Sequence, residues 1–359
     1  MTKRRWPLWT ALILLLGSLT LLDAYRRYHD AGAGPREALL ALMPAEASTV
    51  IFADLTDLRR APFAADLYSW IPKTQVDAEH ADFLRTTGFD YERDLDLIAV
   101  ALIKSEKGTN VFATAKGRFD RGKIEAYAAR SGTRESRNGR EFFTVPLRDG
   151  AHTISFTFLS SDRIALADSG SLAPFLAASG ATSDQRDWRE RFARLAGSPI
   201  FAVIRQDAAA GSALASRAPG GLQSPELATL IDQLQWITLA GKPSDRAMRI
   251  VAEGECSSEQ TSRQLSDLLS GMLLLAEAGL NGPETRRGLD PRVREAYLEM
   301  FRSADVSRLD RGATKSVRMV FEITSNFLTA VSAATPAAPV TPAPKKPTPR
   351  AHSRKQMRN

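Results

Sequence analysis

Hydrophobic and polar positions divide the chain into three regimes: an uncharged apolar run near the N-terminus, a long body with helix- or strand-spaced apolar positions, and a terminal stretch with almost none. The run is Trp6 to Leu22, WPLWTALILLLGSLTLL, 17 residues without a charge and centred near Leu14. As a helix it rises about 26 Å at ~1.5 Å per residue, slightly less than a hydrocarbon core of roughly 30 Å. Ala24 and Tyr25 supply the missing turn. Trp6 and Trp9 at one end and Tyr25 and Tyr28 at the other are the amphipathic rings that settle at headgroup level. A cleaved signal peptide needs small residues just before the cut, and the nearest such pair, Ala31 and Ala33, lies beyond Arg26 and Arg27. A helix buried in a soluble body would keep a polar face, and this run has none. The pattern predicts a retained transmembrane anchor over residues 6–25.

Flanking charge predicts its orientation. Lys3, Arg4 and Arg5 precede the run, whereas Arg26 and Arg27 follow it in the company of Asp23 and Asp30. The positive side stays inside. Residues 1–5 are therefore expected in the cytoplasm, and the body, after a linker at 26–40 broken by Gly32, Gly34 and Pro35, in the periplasm or outside. The expected address is therefore the inner (cytoplasmic) membrane, with a single pass.

Within the body, Ser48 to Leu55 has the continuous apolar character of a buried strand, and Ala61 to Ile71 places Phe63, Leu67 and Trp70 on one helical face. Strands are predicted over Leu95–Ile103 and Val111–Phe119. Asp120 stands where a helix from Arg121 to Arg130 needs its cap. Further strands are predicted at Glu141–Leu147, Thr153–Ser160 and Arg163–Ala167, with a helix near Leu172–Ala178. The pattern then restarts. Ser198 to Ala202 echoes Ser48 to Phe52, a helix over Pro225–Leu234 follows Ser224, and Gln235–Leu239 with Ala247–Glu253 reads as a hairpin. Ser258 to Ala278 carries a wide apolar stripe through Leu265, Leu268, Leu269, Met272, Leu273 and Leu275. Matching strands are offset by about 150, then ~139, then ~137 residues, the mark of a duplication with unequal loops. The second half adds a helix at Pro291–Arg302, strands near Val306–Leu309 and Ser316–Ile323, and a helix around Asn326–Val331.

The predicted class is α+β: two diverged tandem repeats, 41–182 and 183–334, each opening strand, helix, strand, strand, helix, strand, with antiparallel or mixed sheets and helices packed on one face. From Thr335 the composition turns to proline, alanine, threonine and basic residues, which predicts a disordered, extended tail over 335–359. Met43, Pro44, Ala45 and Glu46 leading into the first strand, and Ser183 to Phe192 leading into the second-half strand, resemble a family of bacterial membrane-anchored envelope proteins with a duplicated α+β body. That family is known only as a domain of unknown function, so the resemblance implies fold and address and no catalytic residue.

Charge sharpens the division. The chain carries +7, but Lys3, Arg4 and Arg5 hold three of these charges and the tail holds six: Lys345, Lys346, Arg350, Arg354, Lys355 and Arg358. Removing those nine leaves the body at −2. A nucleic-acid partner is therefore not expected. The tail is instead a candidate contact for anionic lipid, cell-wall polymer or an acidic protein.

Candidate chemistry is sparse. Gly117 to Lys123 has the spacing of a phosphate-binding loop, but Ile124 stands where a hydroxyl should hold magnesium, and Asp120 intrudes on an anion site. A strand end, a capping aspartate and a basic first turn account for it. His29, His80, His152 and His352 are scattered, and Cys256 is single. No Gly-x-Ser-x-Gly elbow occurs. Asp94 and Asp96, beside Arg93, are expected in a solvated turn. No catalytic, cofactor or metal residue is assigned, so the predicted role is a membrane-anchored binding or scaffold protein. An enzyme of unrecognised type and a carrier of lipid or another hydrophobic ligand are the alternatives, the last requiring an apolar cavity between sheet and helices.

Overall fold

Val50 and Phe52 on strand β1 (Thr49–Asp54) are fully buried while Ile51 between them is half-exposed, so the strand separates two sides of a sheet. The structure, a computed structural model, describes residues 34–70, 78–106, 108–137, 139–147, 152–168, 172–177, 183–206 and 225–334. Around β1, the first part of the chain runs α1 (Pro35–Leu40), β1, α2 (Leu55–Arg60), α3 (Pro62–Trp70), α4 (Ala78–Thr87), α5 (Tyr91–Asp94), β2 (Leu95–Ser105), β3 (Gly108–Gly117) and α6 (Arg121–Ser131). It continues with β4 (Thr133–Arg137), β5 (Arg140–Pro146), β6 (Thr153–Phe158), β7 (Arg163–Ala167) and α7 (Ala173–Ala177). The rest runs α8 (Ser183–Arg194), β8 (Ile200–Arg205), α9 (Pro225–Asp232), β9 (Leu234–Pro243), β10 (Ala247–Cys256), α10 (Glu259–Asn281), α11 (Pro283–Gly288), α12 (Pro291–Arg302), β11 (Asp305–Arg311), β12 (Thr314–Thr324) and α13 (Ser325–Ala334).

Twelve strands join in one sheet, in the order β11-β12-β10-β9-β8-β1-β2-β3-β7-β6-β5-β4. Among the described residues every pairing is antiparallel, which resolves the expectation of antiparallel or mixed sheets. The expectation of separate sheets is corrected. β1 pairs with β8 from Thr49 opposite Ile204 to Ala53 opposite Ile200, so the sheet runs unbroken through its centre.

Helices lie on both faces, not on one. On the front, Val50, Phe52, Phe201 and Val203 pack under α1 and α8, with Phe52 and Phe201 stacked at 5.2 Å and Trp188 set edge-on to Trp236 at 4.9 Å. On the back, α4 and α6 cover β3, β5 and β6. α2, α3 and α13 cover the middle through Leu58, Phe63 and Leu328, and α9 and α10 cover β9, β10 and β12 through Leu230 and Leu265. A long sheet with apolar residues at alternating positions on both sides needs cover on both.

The expected linker at 26–40 ends in structure. Leu39 and Leu40 of α1 enter the front core, and the Arg36 guanidinium lies 4.9 Å from the ring centres of both Phe52 and Phe201. It donates to the carbonyls of Leu195, Ala196 and Ser198, which follow the end of α8. Among the described residues no helix is long and apolar enough to cross a membrane. The predicted anchor at 6–25 and tail at 335–359 lie outside the described residues.

Candidate ligand-binding cavity

The back face of the first half is an apolar floor made by strand alternation. β2 contributes Ile98, β3 Ala115, β7 Ile164 and Leu166, and β6 Phe156. α6 forms one wall with Ile124, Tyr127 and Ala128, positions three and four apart that share a helical face. Its start is set by Asp120, whose carboxylate accepts the Lys123 N–H at 3.1 Å. α4 brings Phe83, and the turn after it brings Phe89. Gly88 makes that turn at φ 72°, a left-handed conformation suited to glycine, with its N–H on the Leu84 carbonyl.

Sheet and helices do not close on one another here. They border a cavity of about 450 Å³ that opens to solvent on one side, within the roughly 300–1,000 Å³ typical of small-molecule sites. Ala115 on the floor and Ala128 on the wall are small where larger residues would fill the space. Phe83 meets Tyr127 edge-on at 5.3 Å, and Phe89 stacks on Phe119 at 5.2 Å. Of the lining side chains, His80 and Tyr127 alone carry polar atoms. Such a lining favours an apolar ligand through desolvation and gives it few directional bonds.

The rim is fastened by Asp94, which corrects the expectation of a solvated turn. Asp94 is buried. It accepts from Arg93 at 2.9 Å, from Arg118 at 2.9 Å and from the Asp90 N–H at 3.0 Å. The Arg93 hydrogen bond, with those of Asp90 and Arg118, outweighs burial and holds its carboxyl well below the usual range. Asp96 turns elsewhere, to Thr56 and Arg59, so the two acids do not form a pair.

Across the sheet, on the front of the second half, lies a buried ionic cluster. Glu253 and Glu255 project from β10 on the same side. Glu255 accepts from Arg191 and, at 2.6 Å, from Arg194, both on α8. Glu253 accepts from Arg311, from Arg318 at 3.0 Å and from Ser316 at 2.9 Å. Burial raises the Glu253 carboxyl, but these donors overcome it and lower it to about 2. The Arg191 guanidinium also lies 4.0 Å from the Trp236 ring centre. The cluster ties α8 to β10, β11 and β12. Sequence reasoning missed it, although two glutamates at alternate positions of an apolar strand, AMRIVAEGEC, are a visible sign of a paired charge.

No family model matches the sequence. No curated protein matches it either. Among solved structures, crystal forms III, I and IV of TP0453 superpose with TM-scores of 0.44, 0.44 and 0.43 at 9%, 7% and 10% identity. They cover 82%, 82% and 84% of this chain and 98%, 96% and 100% of those chains. Overlap this loose transfers nothing to the present protein.

The anchor residues Trp6, Trp9, Leu14, Leu22 and Tyr25, the charges Lys3, Arg4 and Arg5, and the six basic tail residues lie outside the described residues. At the phosphate-loop spacing, Asp120 occupies the helix start and pairs with Lys123 Nζ at 3.1 Å, which leaves an anion no place there. A Cβ on Gly117 would come within 2.4 Å of the Asp94 carbonyl, so this glycine serves close backbone packing. Cys256 is buried, and burial pushes its thiol up to about 11. His80 lines the cavity and stacks on Tyr91 at 5.7 Å.

Proposed function

We propose that this chain is a membrane-tethered binding protein whose body stands outside the cytoplasm and holds an apolar ligand, such as an acyl chain, in the back-face cavity. The observation that carries the reading is a space of about 450 Å³ lined by phenylalanine, leucine, isoleucine, valine and alanine, with His80 and Tyr127 as its polar side chains. A body of this size can close a core completely, so an unfilled apolar volume walled by Ala115 and Ala128 points to an occupant. The Trp6–Leu22 run and its flanking charges support the tether and its direction. The enzyme alternative gains nothing from a lining so poor in ionisable groups.

The same reading takes the body as a duplication, akin to the envelope family it resembles. Counting outward from the central pair, β1, β2, β3, α6 correspond to β8, β9, β10, α10, and β7, β6 to β12, β11. The β4–β5 hairpin belongs to the first half alone, where it extends the sheet beyond β6.

The test is photo-crosslinking of the full-length protein in lipid nanodiscs with a fatty acid carrying a diazirine in its chain. Crosslinks are expected in the peptides that hold Phe83, Phe89 and Tyr127. Ala128→Trp, which fills the space, is expected to lower them at least tenfold while the protein stays folded by circular dichroism. Labelling spread evenly over the surface, or unchanged in Ala128→Trp, overturns the reading.

A further inference from the structure

α10 changes character along one face. Its start is capped by Ser258, whose hydroxyl accepts the Thr261 N–H at 3.0 Å. The outward positions are then Gln260, Arg263, Gln264 and Asp267, the polar surface that water requires. The same spacing of three and four residues leads next to Gly271, Leu274, Leu275 and Ala278. Leu274 and Leu275 are 69% and 74% exposed, the most exposed large hydrophobics among the described residues. Apart from the helix's own backbone and the adjoining residues, no atom lies within 4 Å of the space a Cβ on Gly271 or Gly279 would enter. Beneath this face, the contribution of α10 to the back core ends at Leu269. Directly afterwards, α11 presents Arg286 and Arg287 against one acid, Glu284, all three exposed.

We infer that this end of α10 is a membrane-contact surface: Leu274 and Leu275 enter the headgroup–acyl boundary of an anionic bilayer, and Arg286 and Arg287 meet its headgroups. Exposed leucines followed along the chain by a segment of net positive charge match that boundary in both polarity and charge. The inference rests on the tether proposed above. Eight residues, Arg26 to Ala33, join the expected anchor to the described body, and they span at most about 30 Å when extended. A bilayer is therefore always within reach of the body. α10 and the cavity lie on the same face of the sheet, so a body resting on α10 turns that face toward the lipid from which the cavity would fill.

The experiment uses full-length protein in vesicles of phosphatidylcholine and phosphatidylglycerol, with part of the lipid spin-labelled on its acyl chain. Leu275→Cys and Asp267→Cys are each labelled with bimane; the native Cys256 is buried and stays unlabelled. Quenching at position 275 is expected to be at least twice that at 267. It should fall by half or more when Arg286→Gln and Arg287→Gln are added or phosphatidylglycerol is left out. Equal quenching at the two positions overturns the inference. So does a labelled 275 probe that is unquenched while unlabelled Leu275→Cys, treated with copper phenanthroline as oxidant, forms a disulfide with position 275 of a second copy in proportion to protein density. Protein that fails to float with the vesicles overturns both this inference and the tether, whereas floating protein with an unquenched 275 probe overturns the inference alone.

Discussion

Glu253 sets how stability should depend on acidity. Its folded-state carboxyl lies near 2, below its ordinary 4.5, because Arg311, Arg318 and Ser316 outweigh the effect of burial. The bonded carboxylate therefore adds stability that is fully present above about pH 4.5 and is lost as pH falls toward about 2. In urea unfolding of the full-length protein, the stability gap between the native chain and Glu253→Gln is expected to shrink through that window. A gap that stays constant from pH 6 to pH 3 contradicts this account. At the same scale, some residues announced themselves. Asp120 was legible as a cap because capping depends only on neighbours along the chain. Asp94 was not: one of the donors it accepts from, Arg118, lies 24 residues away in the chain. The Glu253 and Glu255 cluster likewise draws its arginines from α8, β11 and β12, and no local pattern names them.

At the scale of elements, strongly periodic segments were readable and polar ones were not. β1, β2, α6, α10 and α12 fall close to their predicted ranges because each buries a regular stripe or run. α4, AEHADFLRTT, has few apolar residues and went unrecognised, yet it walls the cavity. β4, TRESR, is exposed along its whole length and is a strand only because it pairs with β5. The cavity was foreseen only as a condition for a carrier, because an unfilled volume depends on how α4, α6 and five strands meet. α6 is also the element where a single bond can be tested. Asp120→Ala removes the acceptor for the Lys123 N–H and is expected to lower the urea midpoint. It should loosen the wall that carries Tyr127 and Ala128. Urea unfolding measures the first effect, and hydrogen exchange in the α6 peptide measures the second. An unchanged midpoint would show that the helix start is held by other contacts.

For the whole molecule, the order of strands along the sheet differs from their order along the chain in a way that bears on assembly. β1 is made early but reaches its full set of partners only when β8 arrives, some 150 residues later. Until then one edge of β1 and the front-face side chains Val50 and Phe52 await Phe201, Val203 and α8. An open central edge is a template for any matching strand, and the β8 of a neighbouring chain offers the same register as the chain's own. Refolding the full-length protein from urea into detergent micelles at rising concentration is therefore expected to yield a growing fraction of dimers that have exchanged their second halves. These should persist after dilution, with Arg36 of one chain fastened to the Leu195 and Ala196 carbonyls of the other. Dimers that dissociate at once on dilution would indicate ordinary surface association. A central seam between two halves of one sheet thus makes the speed with which a chain finds its own second half a condition for folding without exchange.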